Sequence, residues 1–445
     1  MIVKNEERFL GGCLDSIKDV ADQIIVVDTG STDKTSDIAK QYNAQIYYFD
    51  WCDDFSAARN VSLKYATGDW ILWMDADERL APESTRHLLS ILSHEKMPIV
   101  YKTNIHSIWR DNSTLQLSSA FRIFNNYKGI CFSGRIHEQV KLSAFSGKAE
   151  ERDSNVVIHH LGYGLDSASA KRKSRRNRKL LKQMVEESPD SAYAHYTLAQ
   201  HYSMNEEHGK ALKHYEKSYA LKQFDKSMTA SLLNTMAESH IKLGNYDIAK
   251  GFCEASLKLI PIQVGGYYLS YEIANKQNEH NDAILWLKRL YQKNKEIRAS
   301  KKRISTDMLI DEDKIIYTIG LKYLEFGDLK TAVTFYEKAY ENNNENIKLM
   351  EEMAGMYIQL NDFSNAERFL HLLVRIKKDP RYQDLLGIVL IRQKRFQDAI
   401  TVYESMIRKD PNNDMILKRL IGLYGKIGRM SKAKEILRSK KIPIR

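Results

Sequence analysis

The sequence predicts an α/β domain with a mainly parallel sheet, followed by an all-α repeat solenoid. Two observations carry this. Residues 1 to about 165 alternate short apolar runs with amphipathic stretches, the pattern of strands interleaved with helices. Beyond about residue 185 the apolar period becomes helical, and one spacing of small and bulky residues recurs.

In the first part, Gln23 to Asp28 is a β-rich run that ends at a polar turn, and Ser31 to Asn43 reads as a helix with acids and hydroxyls at its start. Gln45 to Phe49 is a second strand, and Asp54 to Ala66 is helical. Asp69 to Met74 is a buried strand ending at Asp75. Pro82 suits the first turn of a helix reaching about His94. Such alternation gives a mainly parallel sheet covered on both faces.

In the second part a small residue is followed by Ala twelve positions later, then a bulky residue four further on. Ala199, Ala211 and Tyr215 form one set; Gly320, Ala332 and Tyr336 another; Gly387, Ala399 and Tyr403 a third. The alanines at 332, 366, 399 and 433 continue the period. Small residues suit close helix crossings and bulky ones fill the gaps between them. This spacing resembles tetratricopeptide repeats, whose unit is a pair of antiparallel helices. The predicted organisation is a domain over residues 1–165, a basic linker helix over 166–188, and about seven repeats over 189–445 with an irregular stretch near 293–313.

Composition narrows the function classes. With 43% hydrophobic and 28% charged residues, the chain can bury ordinary cores, which excludes wholesale disorder. The net charge of +11 is partly local, with Lys171, Arg172, Lys173, Arg175, Arg176, Arg178, Lys179 and Lys182 in one stretch. No aromatic residue interrupts that stretch, so nucleic acid is not an expected partner; a solvated helix face is the simpler explanation. Four cysteines without a CxxC pair argue against a disulfide scaffold or a zinc site. No apolar run is long enough to span a bilayer, and acidic residues arrive where a signal peptide would be apolar. A cytoplasmic, reducing setting is expected.

The chemistry gathers at strand ends. Asp75 and Asp77 follow an apolar strand, and extended backbone would project both to one side, suiting a hard cation, Mg2+ or Mn2+. Acids also cap turns in such places. Asp28 to Asp33 ends another strand; Asp28 can accept hydrogen bonds from a ribose or base, or simply shape a strand–helix turn. Arg59 is placed to meet a phosphate or a site carboxylate, or to lie on a helix surface.

Four ordered segments carry a family resemblance: Met1 to Glu7, Val26 to Asp33, Asp54 to Asn60, and Trp73 to Glu78. Together they resemble glycosyltransferase family 2, the GT-A fold class of inverting nucleotide-sugar transferases. The resemblance implies that Asn5, Glu6 and Asp28 lie near the nucleoside, that Arg59 and Asp75 contribute to nucleotide-sugar binding, and that Asp75 and Asp77 handle metal and diphosphate. The strand that usually precedes the Met1 to Glu6 motif is nearly absent here, which predicts a weakened central strand or a shortened start.

Phe121 to Phe124, Ser133 to Gln139 and Ile158 to Tyr163 resemble a subgroup that includes bacteriocin S-glycosyltransferases and lipopolysaccharide-core glucosyltransferases. By that resemblance His160, or His159 as second choice, completes the metal shell. Glu138 is the first candidate for the base that activates an acceptor, partnered by His137. The expected activity is metal-dependent transfer of a hexose from a nucleotide sugar, UDP-sugar favoured, to a peptide or protein side chain. The alternatives are transfer to a cell-envelope glycan or lipid-linked sugar, and a catalytically inert interaction protein. The repeats suit peptide binding or homodimer formation.

Overall fold

A computed structural model describes residues 1–92, 98–108, 114–126, 129–141, 149–161, 167–299 and 306–440. The chain divides into two units, Met1–Asp311 and Glu312–Arg445. Among the described residues, no helix is long and apolar enough to cross a membrane.

The first unit opens with three parallel strands, β1 (Ile2–Val3), β2 (Ile25–Asp28) and β3 (Gln45–Tyr48), in that order. Helices α1 (Leu10–Ile17) and α2 (Thr35–Gln41) make the crossovers. The helix expected from Ser31 begins only at Thr35, because Ser31 to Lys34 are drawn into a loop with Asn5 and Glu7. β1 has two residues and, among the described residues, pairs only with β2. Helix α3 (Phe55–Tyr65) starts where the Asp54 carboxylate accepts from Ala57 N–H at 3.0 Å.

A second, mixed sheet holds β4 (Trp70–Leu72), β5 (Glu78–Leu80), β6 (Ile99–Ile108), β7 (Thr114–Asn125), β10 (Glu150–His160) and β11 (Thr306–Ile310). Its main order is β11-β7-β6-β10-β5, with β4 on β7. β10 runs parallel to β6, and the other pairs are antiparallel. β8 (Cys131–Ser133) and β9 (Gln139–Lys141) form a separate hairpin. Helix α4 (Pro82–Ile91) has Pro82 in its first turn, where a missing N–H costs nothing. Its predicted continuation to His94 lies outside the described residues. Leu10, Cys13 and Leu14 of α1 pack with Val26, Met74, Ile99, Ile123 and Ile158, so one apolar core joins both sheets.

Helix α5 (Ser167–Glu187) carries the basic stretch and packs on the α/β domain. Leu180 and Leu181 share a core with Ile136, Trp51 and Phe55. Lys179 reaches Asp53 at 2.7 Å, and Arg135 reaches Glu187 at 2.6 Å. Three helix pairs follow: α6 (Ala192–Met204) with α7 (His208–Ala220), α8 (Lys226–Lys242) with α9 (Tyr246–Leu259), and α10 (Gly265–Lys276) with α11 (His280–Ala299). The irregular stretch near 293–313 then contributes β11. The buried Asn294 amide donates Nδ2 to the Ile310 carbonyl and accepts at Oδ1 from Ile310 N–H, both at 2.9 Å, and so holds this strand in place.

The second unit is four more helix pairs: α12 (Glu312–Glu325) with α13 (Leu329–Asn342), α14 (Ile347–Gln359) with α15 (Phe363–Ile376), α16 (Pro380–Arg392) with α17 (Phe396–Lys409), and α18 (Asp414–Lys426) with α19 (Met430–Lys440). The repeating small residues sit at crossings. A Cβ on Gly387 would lie 2.4 Å from the Tyr403 ring, and Ala399 and Tyr403 are fully buried.

Candidate active site

The loop after β2 is closed upon itself. Gly30 has φ 102°, a conformation open to glycine and strained for other residues. Asp28 is 2% exposed. Its Oδ1 accepts from Gly30 N–H at 3.0 Å and Ser31 N–H at 2.7 Å, and its Oδ2 accepts from Ser36 Oγ at 2.8 Å. Asp28 therefore shapes the strand–helix turn, one of the two roles its position suggests. Asn5, in left-handed backbone at φ 57°, braces the same loop: its Oδ1 accepts from Thr32 N–H at 2.7 Å. Glu6 N–H donates to Thr35 Oγ1 at 2.7 Å, leaving its carboxylate to other neighbours.

The segment from Asp75 to Glu78 is a turn, not the extended backbone expected from its sequence. Glu78 N–H donates to the Asp75 carbonyl at 3.1 Å, and the Glu78 carboxylate accepts from Asp75 N–H at 2.8 Å. Asp75 and Asp77 thus leave one turn after β4. Arg59, buried on α3, donates Nη2 to Asp75 Oδ1 at 2.6 Å and Nε to Glu138 Oε1. Arg122 on β7 donates Nη2 to Glu78 Oε1 at 2.6 Å, with its Nη1 3.8 Å from Asp75 Oδ2. Burial raises the pKa of the Asp75 carboxyl, but the Arg59 and Arg122 guanidiniums more than reverse this and hold it well below the usual carboxylate range.

Trp73 supports both cations. Its ring centroid lies 3.6 Å from Arg122 Cζ and 4.2 Å from Arg59 Cζ, and its Nε1 donates to the Phe121 carbonyl at 2.7 Å. Arg59 Nη1 and Arg122 Nε and Nη1 are buried without a hydrogen-bond partner among the described residues. Such donors would be satisfied by an added anion.

On the other side of the turn, His160 Nε2 lies 3.4 Å from Asp77 Oδ2, and its Nδ1 is 3.3 Å from Ser107 Oγ. The bond to Asp77 raises the His160 pKa against the effect of burial. Burial first, and then the charge of Asp77, push Glu6 up to about 7. Among the described residues, no three His, Cys, Asp or Glu side chains stand together as a formed metal shell. One oxygen of Asp75 already serves Arg59. His159, the second choice, packs its ring edge-on to His106 at 5.8 Å.

His137 is exposed, at φ 52°, in the loop before β9. Glu138 beside it turns its carboxylate to Arg59. The structure therefore brings Arg59, Asp75 and Glu138 into one chain of contacts and sets Asp77 beside His160. Asn5 and Asp28 serve the neighbouring loop. Sequence reasoning passed over Arg122, Trp73 and Glu78 as supports. The signal present was a charged residue, Arg122, inside the apolar run Phe121 to Phe124.

The model described as Glycosyl transferase family 2 matches residues 1–148, and the one described as Tetratricopeptide repeat matches residues 323–388 and 390–439. A TPR repeat-containing protein of Synechococcus elongatus is 37% identical over 43% of this chain and 49% of its own length. The SPbeta prophage-derived glycosyltransferase SunS of Bacillus subtilis is 31% identical over 43% of this chain and 45% of its own. The chain thus spans about half the length of these curated relatives. Among solved structures, YrrB, titled a TPR protein with an unusual peptide-binding site, matches at 16% identity and a TM-score of 0.35, over 49% of this chain and 99% of that one. The chain therefore joins a glycosyl transferase family 2 domain at residues 1–148 to tetratricopeptide repeats at residues 323–388 and 390–439.

Proposed function

We propose that this protein transfers a hexose from a nucleotide sugar, UDP-sugar favoured, to a side chain of a peptide or protein, with inversion at the transferred carbon. The observation that carries this is the turn after β4, which puts Asp75 on Arg59, itself bound to Glu138, and sets Asp77 beside His160 at the end of β10. The similarity to a named glycosyltransferase supports the reaction class.

The donor set fits a divalent cation, Mg2+ or Mn2+. Asp77 and His160 are already neighbours, and Asp75 keeps one oxygen clear of Arg59. Asp75, Asp77 and His160 would hold such an ion, which would neutralise charge on the departing diphosphate. The orphaned N–H groups of Arg59 and Arg122 suit the same anion.

In the transfer, the acceptor oxygen or sulfur bonds to the anomeric carbon while the bond from that carbon to the diphosphate oxygen breaks. The acceptor proton passes to a carboxylate, for which Glu138 is the candidate. Since Arg59 holds Glu138 in the free protein, that pair must open or shift when substrates bind. Otherwise Glu138 positions Arg59. The basic helix α5 gives less support to a lipid-linked acceptor, because Lys179 and Arg178 are already paired with Asp53 and Glu207.

Incubation with a panel of UDP- and GDP-sugars, with and without Mn2+, tests this function. Slow metal-dependent donor hydrolysis is expected. Neither hydrolysis nor donor binding by calorimetry for any sugar would leave an inert interaction protein as the better reading.

A further inference from the structure

A cavity of about 640 Å³ lies between the β8–β9 hairpin and the junction of α5 with α6. Its volume is that of an ordinary ligand site. Gln139, Val140 and Lys141, the whole of β9, line one wall. Successive side chains of a strand point to opposite faces. A cavity touched by all three therefore lies along the edge of β9, where the main chain is presented. Among the described residues, β9 pairs only with β8. Its other edge offers N–H and C=O groups that an extended polypeptide can pair with.

The remaining walls are polar and nearly balanced in charge. Arg135 and Glu187 neutralise each other at 2.6 Å, and Asp54 is engaged in capping α3. Ser188 and Tyr193 stand on the α5–α6 side, and Tyr193 Oη is 3.5 Å from the His137 carbonyl. This lining suits main-chain amides and uncharged polar side chains better than a phosphate or a lipid tail. His137 and Gln139, which both line the cavity, flank Glu138, whose carboxylate is on Arg59.

Given the transferase function proposed above, we infer that this cavity is the acceptor site. It takes an extended, uncharged polypeptide segment whose main chain pairs with the edge of β9 away from β8, which is unpaired among the described residues. The end of α5 and the start of α6 then form part of the acceptor site, in place of a remote scaffold.

The whole protein, with Mn2+ and a hydrolysable UDP-sugar, tests this against two synthetic pools. One holds uncharged short peptides with Cys, Ser or Asn at the centre; the other has the same sequences N-methylated at alternate amides. Mass spectrometry should find the hexose on the unmethylated pool and about tenfold less on the methylated one. Ser188→Trp, which fills the cavity from a position outside the donor-side cluster, should cut peptide transfer about tenfold, with donor hydrolysis and circular dichroism unchanged. Equal transfer to both pools, unaltered transfer by Ser188→Trp, or transfer to free oligosaccharides but to neither pool would overturn the assignment while donor hydrolysis persists. Absence of donor hydrolysis, donor binding and transfer together would sink the transferase function itself, and the acceptor site with it.

Discussion

Two acid-bearing turns sit at the ends of strands in different sheets, β2 and β4, and they use their aspartates in opposite ways. After β2, Asp28 is 2% exposed and its bonds to Gly30, Ser31 and Ser36 are all made within eight residues of its own position. After β4, the Asp75 side chain is 38% exposed and is held by Arg59 from α3. Glu78, whose carboxylate closes that turn, is held by Arg122 from β7. The aspartate of the first turn is satisfied within its own loop. The second is assembled by distant elements and keeps one carboxylate oxygen available. An aspartate at a strand end is thus a structural cap when its own loop satisfies it, and a candidate ligand when other elements aim it and leave it open.

The contrast can be broken most sharply at Arg59. Arg59→Ala should leave Glu138 buried beside Asp75 without their cation, costing about 3–5 kcal/mol of stability in urea unfolding. Donor hydrolysis should fall below detection. Arg59→Lys keeps the charge but loses the two-pronged geometry, so it should recover stability more than activity. Asp28→Asn should do less. It keeps the size of the side chain and weakens charge-assisted bonds within one loop, costing about 1–2 kcal/mol. Its kinetic effect should appear in the donor KM, with kcat nearly retained. An Asp28→Asn loss as large as that of Arg59→Ala would erase the distinction between the two turns.

The smallest effect concerns pH. Glu6 is raised from 4.5 to about 7, first by burial and then by Asp77. The folded state therefore binds the Glu6 proton more tightly than the unfolded chain does. That contribution to stability is complete below about 4.5 and is lost as pH rises through about 7. After solvent screening it should amount to about 1 kcal/mol. Glu6→Gln should flatten this part of the stability–pH curve measured by thermal or urea unfolding. Mn2+ added near neutrality should release protons from the wild type and fewer from Glu6→Gln.

Local periodicity made much of the fold legible. Ala211 with Tyr215, Ala399 with Tyr403, and the glycines at 320 and 387 are read from spacing alone, since helix pairs pack through neighbours in sequence. The acid-rich strand ends were legible for the same reason. What stayed hidden is non-local. Arg59 meets Glu138 across 79 residues, and Arg122 meets Glu78 across 44. Nothing in the spacing of either pair announces it. β11 likewise comes from the repeat region to extend the second sheet beside β7, where the sequence showed only an irregular stretch. The Asp75 to Glu78 turn was misread as extended because its backbone is fixed by the Glu78 side chain, itself fixed by Arg122.

The roles of Asp75 and Asp77 rest on a cation between the protein and a diphosphate. Calorimetric titration of UDP into the full chain, with and without Mn2+, tests this directly on the wild type and on Asp77→Ala. The wild type should bind UDP at least about tenfold more tightly with Mn2+ than without it. Asp77→Ala should lose that gain while its circular dichroism stays unchanged. Equal Mn2+ enhancement in both proteins, or none in either, would contradict it.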